Sequence, residues 1–173
     1  MTALAAVLAI LLGAFGCYCV VIVRSRRKQF DSLTLPDVRN WIEILLKRGR
    51  DGGFIIITDI PSGKFVQIKK YVRRKGDYGL RMDFPKAPWS LAHYDAVSDV
   101  LQKDAVSFSA LPTDDDPVTE VIVVDFHRDT GLALAVVERI LFDVFGLPRD
   151  RRFRLRGEDI SYRDEVIDTP SDT

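Results

Sequence analysis

The sequence predicts an α+β fold in which a transmembrane helix precedes a domain of order α-βββ-α-ββ-α. Three observations support this: an uncharged apolar stretch at the N-terminus, helical segments with one apolar stripe each, and strand segments separated by turn residues. Because short connections favour antiparallel pairing, we expect a mainly antiparallel five-stranded sheet with its helices on one face. The domain is expected to span residues 34–148.

The N-terminal stretch has the length and composition of a membrane-spanning helix. Residues 3–23 contain no charged side chain, and about 20 apolar residues are enough to cross the hydrocarbon core. The basic residues that follow at once are Arg24, Arg26, Arg27 and Lys28. Because cationic flanks stay in the cytoplasm, we expect a single-pass inner-membrane protein with its N-terminus outside and its domain in the cytoplasm.

A cleaved signal peptide is the alternative to a retained anchor. A secretory signal begins with a basic region and ends at small residues. In this chain no charged residue precedes the apolar stretch, which also continues beyond Cys17. Both cysteines, Cys17 and Cys19, lie in this stretch, so the predicted domain has neither a disulfide nor a thiolate metal ligand. Residues 24–33 are interpreted as a basic juxtamembrane linker.

Three segments have the apolar spacing of helices that pack on a sheet. The first begins after Thr34, which can cap it, and ends at Gly49. Its stripe consists of Val38, Trp41, Ile42, Leu45 and Leu46. The second segment ends at Lys103. The third is capped by Asp129 or Thr130 and stops at the sequence GLP, residues 146–148.

Five segments have the alternation or the turn boundaries of strands. Residues 54–58 and 64–70 flank the turn-forming sequence DIPSG, which predicts a hairpin. A phosphate-binding loop is excluded, because Phe65 stands where Ser or Thr is required and no glycine lies five positions before Gly63. The other strand segments are residues 78–84, 106–111 and 118–126.

These strands carry apolar residues on both faces of the expected sheet. One face would use Val66, Ile68, Leu80, Met82, Ile122 and Val124, or their alternates. The opposite parity still holds Phe65, Val121 and Val123, which makes these three the candidate protein-binding residues. An exposed apolar sheet face marks a partner site, whereas cover by the third helix or a loop would make it ordinary core. Both interpretations remain open.

Catalytic and cofactor motifs are sparse. Asp125 and His127 stand two apart on a strand, so both point to one face, and this spacing can orient an imidazole. No Ser or Cys nucleophile motif accompanies them, and His93 has no second metal ligand at helical spacing. We therefore expect a non-enzymatic domain with no cofactor and no metal. An enzyme that uses Asp125 and His127 is the third-ranked reading.

The charges of the chain are balanced. Lys+Arg and Asp+Glu number 25 each, so the formal net charge is zero and gives no reason to expect a nucleic-acid partner. Residues 149–173 are dense in charge and are expected to form a C-terminal tail, disordered in its last part.

The element order and three motifs resemble the type III secretion chaperone-like superfamily. The motifs are FIIITDIPSGKFVQIKK, GLRMDF and RILFDVFGLP. Within the superfamily, the likeness is to bacterial YbjN-like and TY-Chap domains, and it covers about residues 35–148. It implies a non-enzymatic domain that dimerises and holds extended segments of partner proteins. We expect a membrane-anchored chaperone-like or adaptor domain that binds a protein or peptide, and the alternative is a self-associating scaffold of a membrane complex.

Overall fold

The computed structural model describes residues 27–74, 76–112 and 120–160. Within these ranges the elements are β1 (Arg27–Leu33), α1 (Leu35–Arg48), β2 (Gly49–Thr58), β3 (Phe65–Arg74), β4 (Asp77–Pro85), α2 (Leu91–Lys103), β5 (Ser109–Pro112), β6 (Glu120–His127), α3 (Thr130–Glu138) and β7 (Phe153–Ile160). Helix α3 continues as a π-helical segment, Arg139–Val144. The strands form one sheet in the order β1-β7-β2-β3-β4-β6-β5, and every neighbouring pair is antiparallel. The predicted α+β class and antiparallel sheet are confirmed.

The predicted number of five strands is wrong, because the described residues form seven. Strand β1 lies in the predicted linker and β7 in the predicted tail, so the sheet extends beyond residues 34–148 at both ends. Strand β7 is an interior strand between β1 and β2. The many charged residues of β7 obscure its strand-like alternation in the sequence. Phe153 and Leu155 are fully buried, while Arg154 and Arg156 lie on the other face.

The predicted transmembrane segment, residues 3–23, lies outside the described residues, and so do residues 161–173. No helix among residues 27–74, 76–112 and 120–160 is long and apolar enough to cross a membrane. Of the predicted basic flank, Arg24 and Arg26 also lie outside, whereas Arg27 and Lys28 begin β1.

The helices and one face of the sheet share a single hydrophobic core. The strand residues buried in it are Ile55, Ile57, Val66, Ile68, Leu80, Met82, Phe84, Ile122, Val124, Phe126, Phe153 and Leu155. All three helices bury residues in the same cluster, among them Val38, Val97 and Val137, so the helices lie on this face. Of the two strand faces considered from the sequence, the buried one is therefore the face that carries Val66, Ile68, Leu80, Met82, Ile122 and Val124.

Side-chain caps begin two of the helices, as the sequence predicts. Before α1, the Thr34 amide donates to Asp37 Oδ2 at 2.7 Å. At α3, the Leu132 amide donates to Asp129 Oδ1 at 2.8 Å, which identifies Asp129 as the cap. Each bond satisfies an amide that has no partner within its helix.

A buried carboxylate holds the hairpin between β2 and β3. Asp59 is fully buried, and its Oδ1 lies 2.6 Å from Nε of Arg151 in the segment before β7. Its Oδ2 accepts a hydrogen bond from the Ser62 amide at 3.1 Å. Burial by itself raises the pKa of Asp59, but the hydrogen bonds from Ser62 and the charge of Arg151 outweigh it and hold the pKa below its ordinary value.

We expect Asp59→Asn to lower the free energy of unfolding by roughly 2 kcal/mol at pH 7, because it removes the charge that pairs with Arg151. Since the pKa of Asp59 is lower in the folded state, the stabilisation is present above the unfolded pKa of about 3.9 and is lost as pH falls through the folded pKa. Urea unfolding of both proteins at neutral and acidic pH measures this difference.

The matched control is Asp31→Asn, which removes the exposed partner of Arg154 on β7. Its effect on the free energy of unfolding should stay below about 1 kcal/mol, because solvent screens that pair. A difference between wild type and Asp59→Asn that is equally large at pH 7 and at acidic pH would contradict the assignment to the Asp59 charge.

Candidate protein-binding face

The sheet face opposite the helices carries the three residues that the sequence proposed for protein binding. We call it the outer face, and define it by Phe54, Ile56, Phe65, Gln67, Lys69, Arg81, Asp83, Val121, Val123 and Asp125. These side chains alternate with the core residues and are half-buried, since neighbouring strands shield one another. None of them belongs to the hydrophobic core, but Phe65 lines a pocket together with His93 of α2. Within the described residues, the part of the outer face away from Phe65 is therefore not covered by the core-forming helices.

Strand register arranges the outer face in rows that cross the strands. In the first row Leu111 lies opposite Val121, and Val121 lies opposite Pro85. The β3–β4 pairing ends at Ile68 and Met82, so Phe65 is assigned to this face by the alternation along β3. Val123 stands one row further along β6, opposite Ser109 on one side and Asp83 on the other. The structure thus brings Phe65, Val121 and Val123 onto one face, with an apolar first row.

Phe65 differs from the two valines because another ring already contacts it. Its ring stacks on Trp89 with the centroids 4.5 Å apart and an interplanar angle of 25°. Trp89 itself remains 49% exposed and approaches Phe84 edge-on at 5.9 Å. Phe65 therefore belongs to an aromatic group with Trp89 and Phe84. The sequence shows no sign of this contact, because Trp89 follows two prolines and stands 24 positions from Phe65, where no local pattern relates the two rings.

The charged residues of the outer face lie next to the apolar row and are paired with one another, both within β4 and between strands. Asp83 binds Lys69 at 2.9 Å and Arg81 at 2.8 Å, and Asp125 lies 3.5 Å from Arg73. Solvent-exposed pairs of this kind add little stability. They do neutralise one another, so the first row differs from the rest of the face by being apolar rather than by its charge.

Strand β5 forms one edge of the sheet and is exposed along its whole length. Its residues, Ser109–Pro112, pair with β6 and with no other described strand, and Leu111 is 50% exposed. An edge strand presents unpaired N–H and C=O groups that can pair with an added strand. The opposite edge, β1, is interrupted, because its register shifts after Phe30 and Ser32 has a φ of 62°. Of the two edges of the sheet formed by the described residues, β5 is the one that combines a regular edge with an apolar row beside it.

Asp125 and His127 lie close together, as the sequence predicts, and their third partner is Tyr71. The Tyr71 hydroxyl donates to Asp125 Oδ1 at 2.8 Å and lies 3.3 Å from His127 Nδ1. The His127 amide also donates to Asp125 Oδ1 at 2.8 Å. A bulge allows this contact, because Leu80 pairs with His127 and Arg81 with Asp125, and His127 has a φ of 49°. Sequence spacing could not show Tyr71, which comes from β3.

The Tyr71 hydroxyl keeps its proton at neutral pH. Burial and the hydrogen bond to Asp125 raise the pKa of Tyr71 to about 12. General acids work best when their pKa lies near the operating pH, so this phenol orients Asp125 rather than supplying protons. A Cβ on Gly79 would lie 2.5 Å from the His127 carbonyl oxygen and 2.7 Å from the Tyr71 hydroxyl. The glycine thus leaves room for the network of Tyr71, Asp125 and His127.

Neither a metal-binding cluster nor a related protein gives a further guide to the function. Across residues 27–74, 76–112 and 120–160, no group of three or more His, Cys, Asp or Glu side chains could hold a metal ion. The chain matches no protein-family model, no curated protein and no solved structure. The likeness to chaperone-like domains therefore stays a prediction.

We expect Asp125→Asn to lower the pKa of Tyr71 from about 12 toward the ordinary value near 10. The variant removes the negative charge of the carboxylate that accepts the hydrogen bond of the phenol. Tyrosine-labelled NMR titration measures this pKa. Tyr94 is the internal control, since burial and Glu120 raise its pKa to about 12 without Asp125. A Tyr71 pKa that does not change in the variant would contradict the network.

Proposed function

We propose that this chain is a membrane-tethered, non-catalytic domain that binds an extended segment of a partner protein along β5 and the first row of the outer face. The observation that carries the proposal is the combination of an exposed edge strand with an uncovered apolar row beside it. The likeness to chaperone-like domains, which implies the same kind of client, supports it.

Binding would use backbone pairing for affinity and alternate side chains for selection. A segment added to β5 continues the sheet, so every second side chain of that segment lies on the outer face. Those side chains would extend the row formed by Leu111 and Val121. The partner is therefore expected to carry apolar residues at alternate positions of an extended segment.

Strand β1, which directly follows the proposed tether in the sequence, and the proposed binding edge β5 lie at opposite edges of the sheet. If residues 3–23 span the membrane, residues 24–26 connect them to β1 and reach at most about 10 Å. Strand β5 is six strand spacings from β1, or about 29 Å at a spacing of ~4.8 Å. This separation leaves the β5 edge open to a partner while β1 stays near the bilayer.

Site-specific photo-crosslinking tests the binding edge. Benzoylphenylalanine replaces Leu111 in the full-length protein, the producing cells are irradiated, and the crosslinked peptides are identified by mass spectrometry. We expect a crosslink from Leu111 to an extended, apolar segment of another protein. The same photo-reactive residue at Val72 is the control, because Val72 is 40% exposed on β3 but belongs to the core-side parity. Val72 should not give that crosslink.

Two variants distinguish specific binding from chance capture. Val121→Lys places a charge in the first row and should abolish the crosslink, whereas the matched Val72→Lys should leave it unchanged, each after a check of folding. A crosslink only to a second copy of this chain would support the self-associating scaffold instead. No crosslink at position 111, or one that Val121→Lys leaves unchanged, would contradict binding at this edge.

The anchor is tested independently of any partner. We expect the full-length protein to stay in the membrane fraction after alkaline carbonate washing, because its apolar segment is long enough to span the bilayer. Replacing Leu11 and Leu12 with arginine should release it, since each charge near the middle of the segment costs about 2.5–3.5 kcal/mol of insertion free energy. Release of the unmodified protein by carbonate would contradict the tether, and the crosslinking experiment would remain valid.

A further inference from the structure

A small pocket with aromatic walls lies where the β2–β3 hairpin meets the start of α2 and the end of the π-helical segment. Its volume is about 150 Å³. Four rings line it, those of Phe65, Trp89, His93 and Phe145, and Lys64 stands at its polar side. Apolar cavities of about 150 Å³ bind one benzene ring, so the pocket has room for a single six-membered ring.

The rings of the pocket are held in place before any ligand binds. Phe65 stacks on Trp89 at 4.5 Å, and His93 meets Phe145 edge-on with the centroids 5.0 Å apart. The two pairs come from different elements, β3 with the turn before α2 and α2 with the π-helical end. Aromatic pairs in these geometries attract one another beyond their burial, which rigidifies the walls. A ring that enters contacts surfaces that are already in position.

The π-helical segment determines where the only cation of the described pocket lies. The Phe145 amide donates to the Ile140 carbonyl at 2.9 Å, five residues back along the chain. The Phe145 carbonyl in turn accepts a hydrogen bond from Lys64 Nζ at 2.9 Å. This bond holds the ammonium at the pocket, 5.5 Å from the centroid of the Phe145 ring.

Lys64 has hydrogen-bonding capacity left over for an anion. Among the described residues no carboxylate lies within 4.0 Å of its ammonium. An ammonium has three donors, and Phe145 accepts one of them. Burial and the charge of Lys64 lower the pKa of His93, so that ring is neutral at pH 7 and presents an uncharged wall.

We propose that the pocket binds a one-ring aromatic carboxylate, with the ring among the four aromatic walls and the carboxylate on Lys64 Nζ. The same chemistry occurs in a free aromatic acid and in the C-terminal aromatic residue of a polypeptide. The proposal does not depend on the β5 edge, because neither Leu111 nor Val121 lines the pocket; Phe65 is the one residue that the pocket shares with the outer face as defined above.

Fluorescence of Trp89 reports binding directly. The chain has two tryptophans, so Trp41→Phe leaves Trp89 as the single emitter in the full-length protein held in lipid nanodiscs. Phenylacetate and 3-phenylpropionate are the probes, and phenylacetamide is the uncharged counterpart of the first. We expect saturable changes in emission with both acids and affinity about tenfold weaker for the amide, because hydrogen bonds to charged groups are the stronger ones.

Lys64→Met keeps the length of the side chain and removes its charge. In the Trp41→Phe background it should weaken phenylacetate binding about tenfold and leave phenylacetamide unchanged. Lys47→Met is the matched control, because Lys47 is exposed on α1 and pairs with Glu43, and it should change neither affinity. If Lys64→Met does not fold, the comparison of acid with amide on the parent protein still tests the role of the charge.

A peptide that ends in phenylalanine, with a free or an amidated C-terminus, distinguishes the two sources. Binding of the free-acid peptide but not of phenylacetate would identify a polypeptide C-terminus, and the converse would identify a small molecule. Saturation by neither up to about 10 mM would overturn the proposal, since ligands of ten heavy atoms in a suitable pocket reach millimolar affinity. Equal affinity for acid and amide would overturn the assignment to Lys64.

Discussion

The burial of one face of an antiparallel sheet is the constraint on which the rest of this structure depends. Because side chains alternate along a strand, placing Ile122 and Val124 in the core puts Val121 and Val123 on the outer face. A slip of one residue would exchange the two sets, and burial against three helices opposes such a slip. The uncovered apolar row is thus a direct consequence of how the core is formed.

The β2–β3 hairpin connects stability with the aromatic pocket. Asp59, through Arg151, joins the hairpin turn to the segment before β7, and the Asp59 amide donates to the Lys64 carbonyl at 2.9 Å. Lys64 and Phe65 follow directly and form one side of the pocket. Asp59 therefore holds the turn through its carboxylate and the entry to β3, where Lys64 and Phe65 lie, through its backbone amide. A change at Asp59 would affect both.

Asp125 and His127 show which features of a site follow from sequence spacing and which do not. The sequence places them correctly on one face, and the structure brings them together. Their chemistry, however, depends on Tyr71 and on the bulge that gives His127 a positive φ, and both come from pairing with other strands. The spacing of Asp125 and His127 therefore predicts that they lie close together, but it does not predict that Tyr71 joins them.

The sequence by itself determined the three helices and the β2–β3 hairpin, because periodicity, caps and turn residues are properties of neighbours along the chain. Which of the two strand faces forms the core was decided by the packing of the helices on the sheet. Only the tertiary structure decided that β7 inserts between β1 and β2, and that Phe65 stacks on Trp89. Strand β1 has little alternation and β7 is masked by its charges, so each is recognised as a strand mainly through its pairing partners. Those partners, such as Phe30 and Leu155, lie more than a hundred residues apart, where local patterns carry no information.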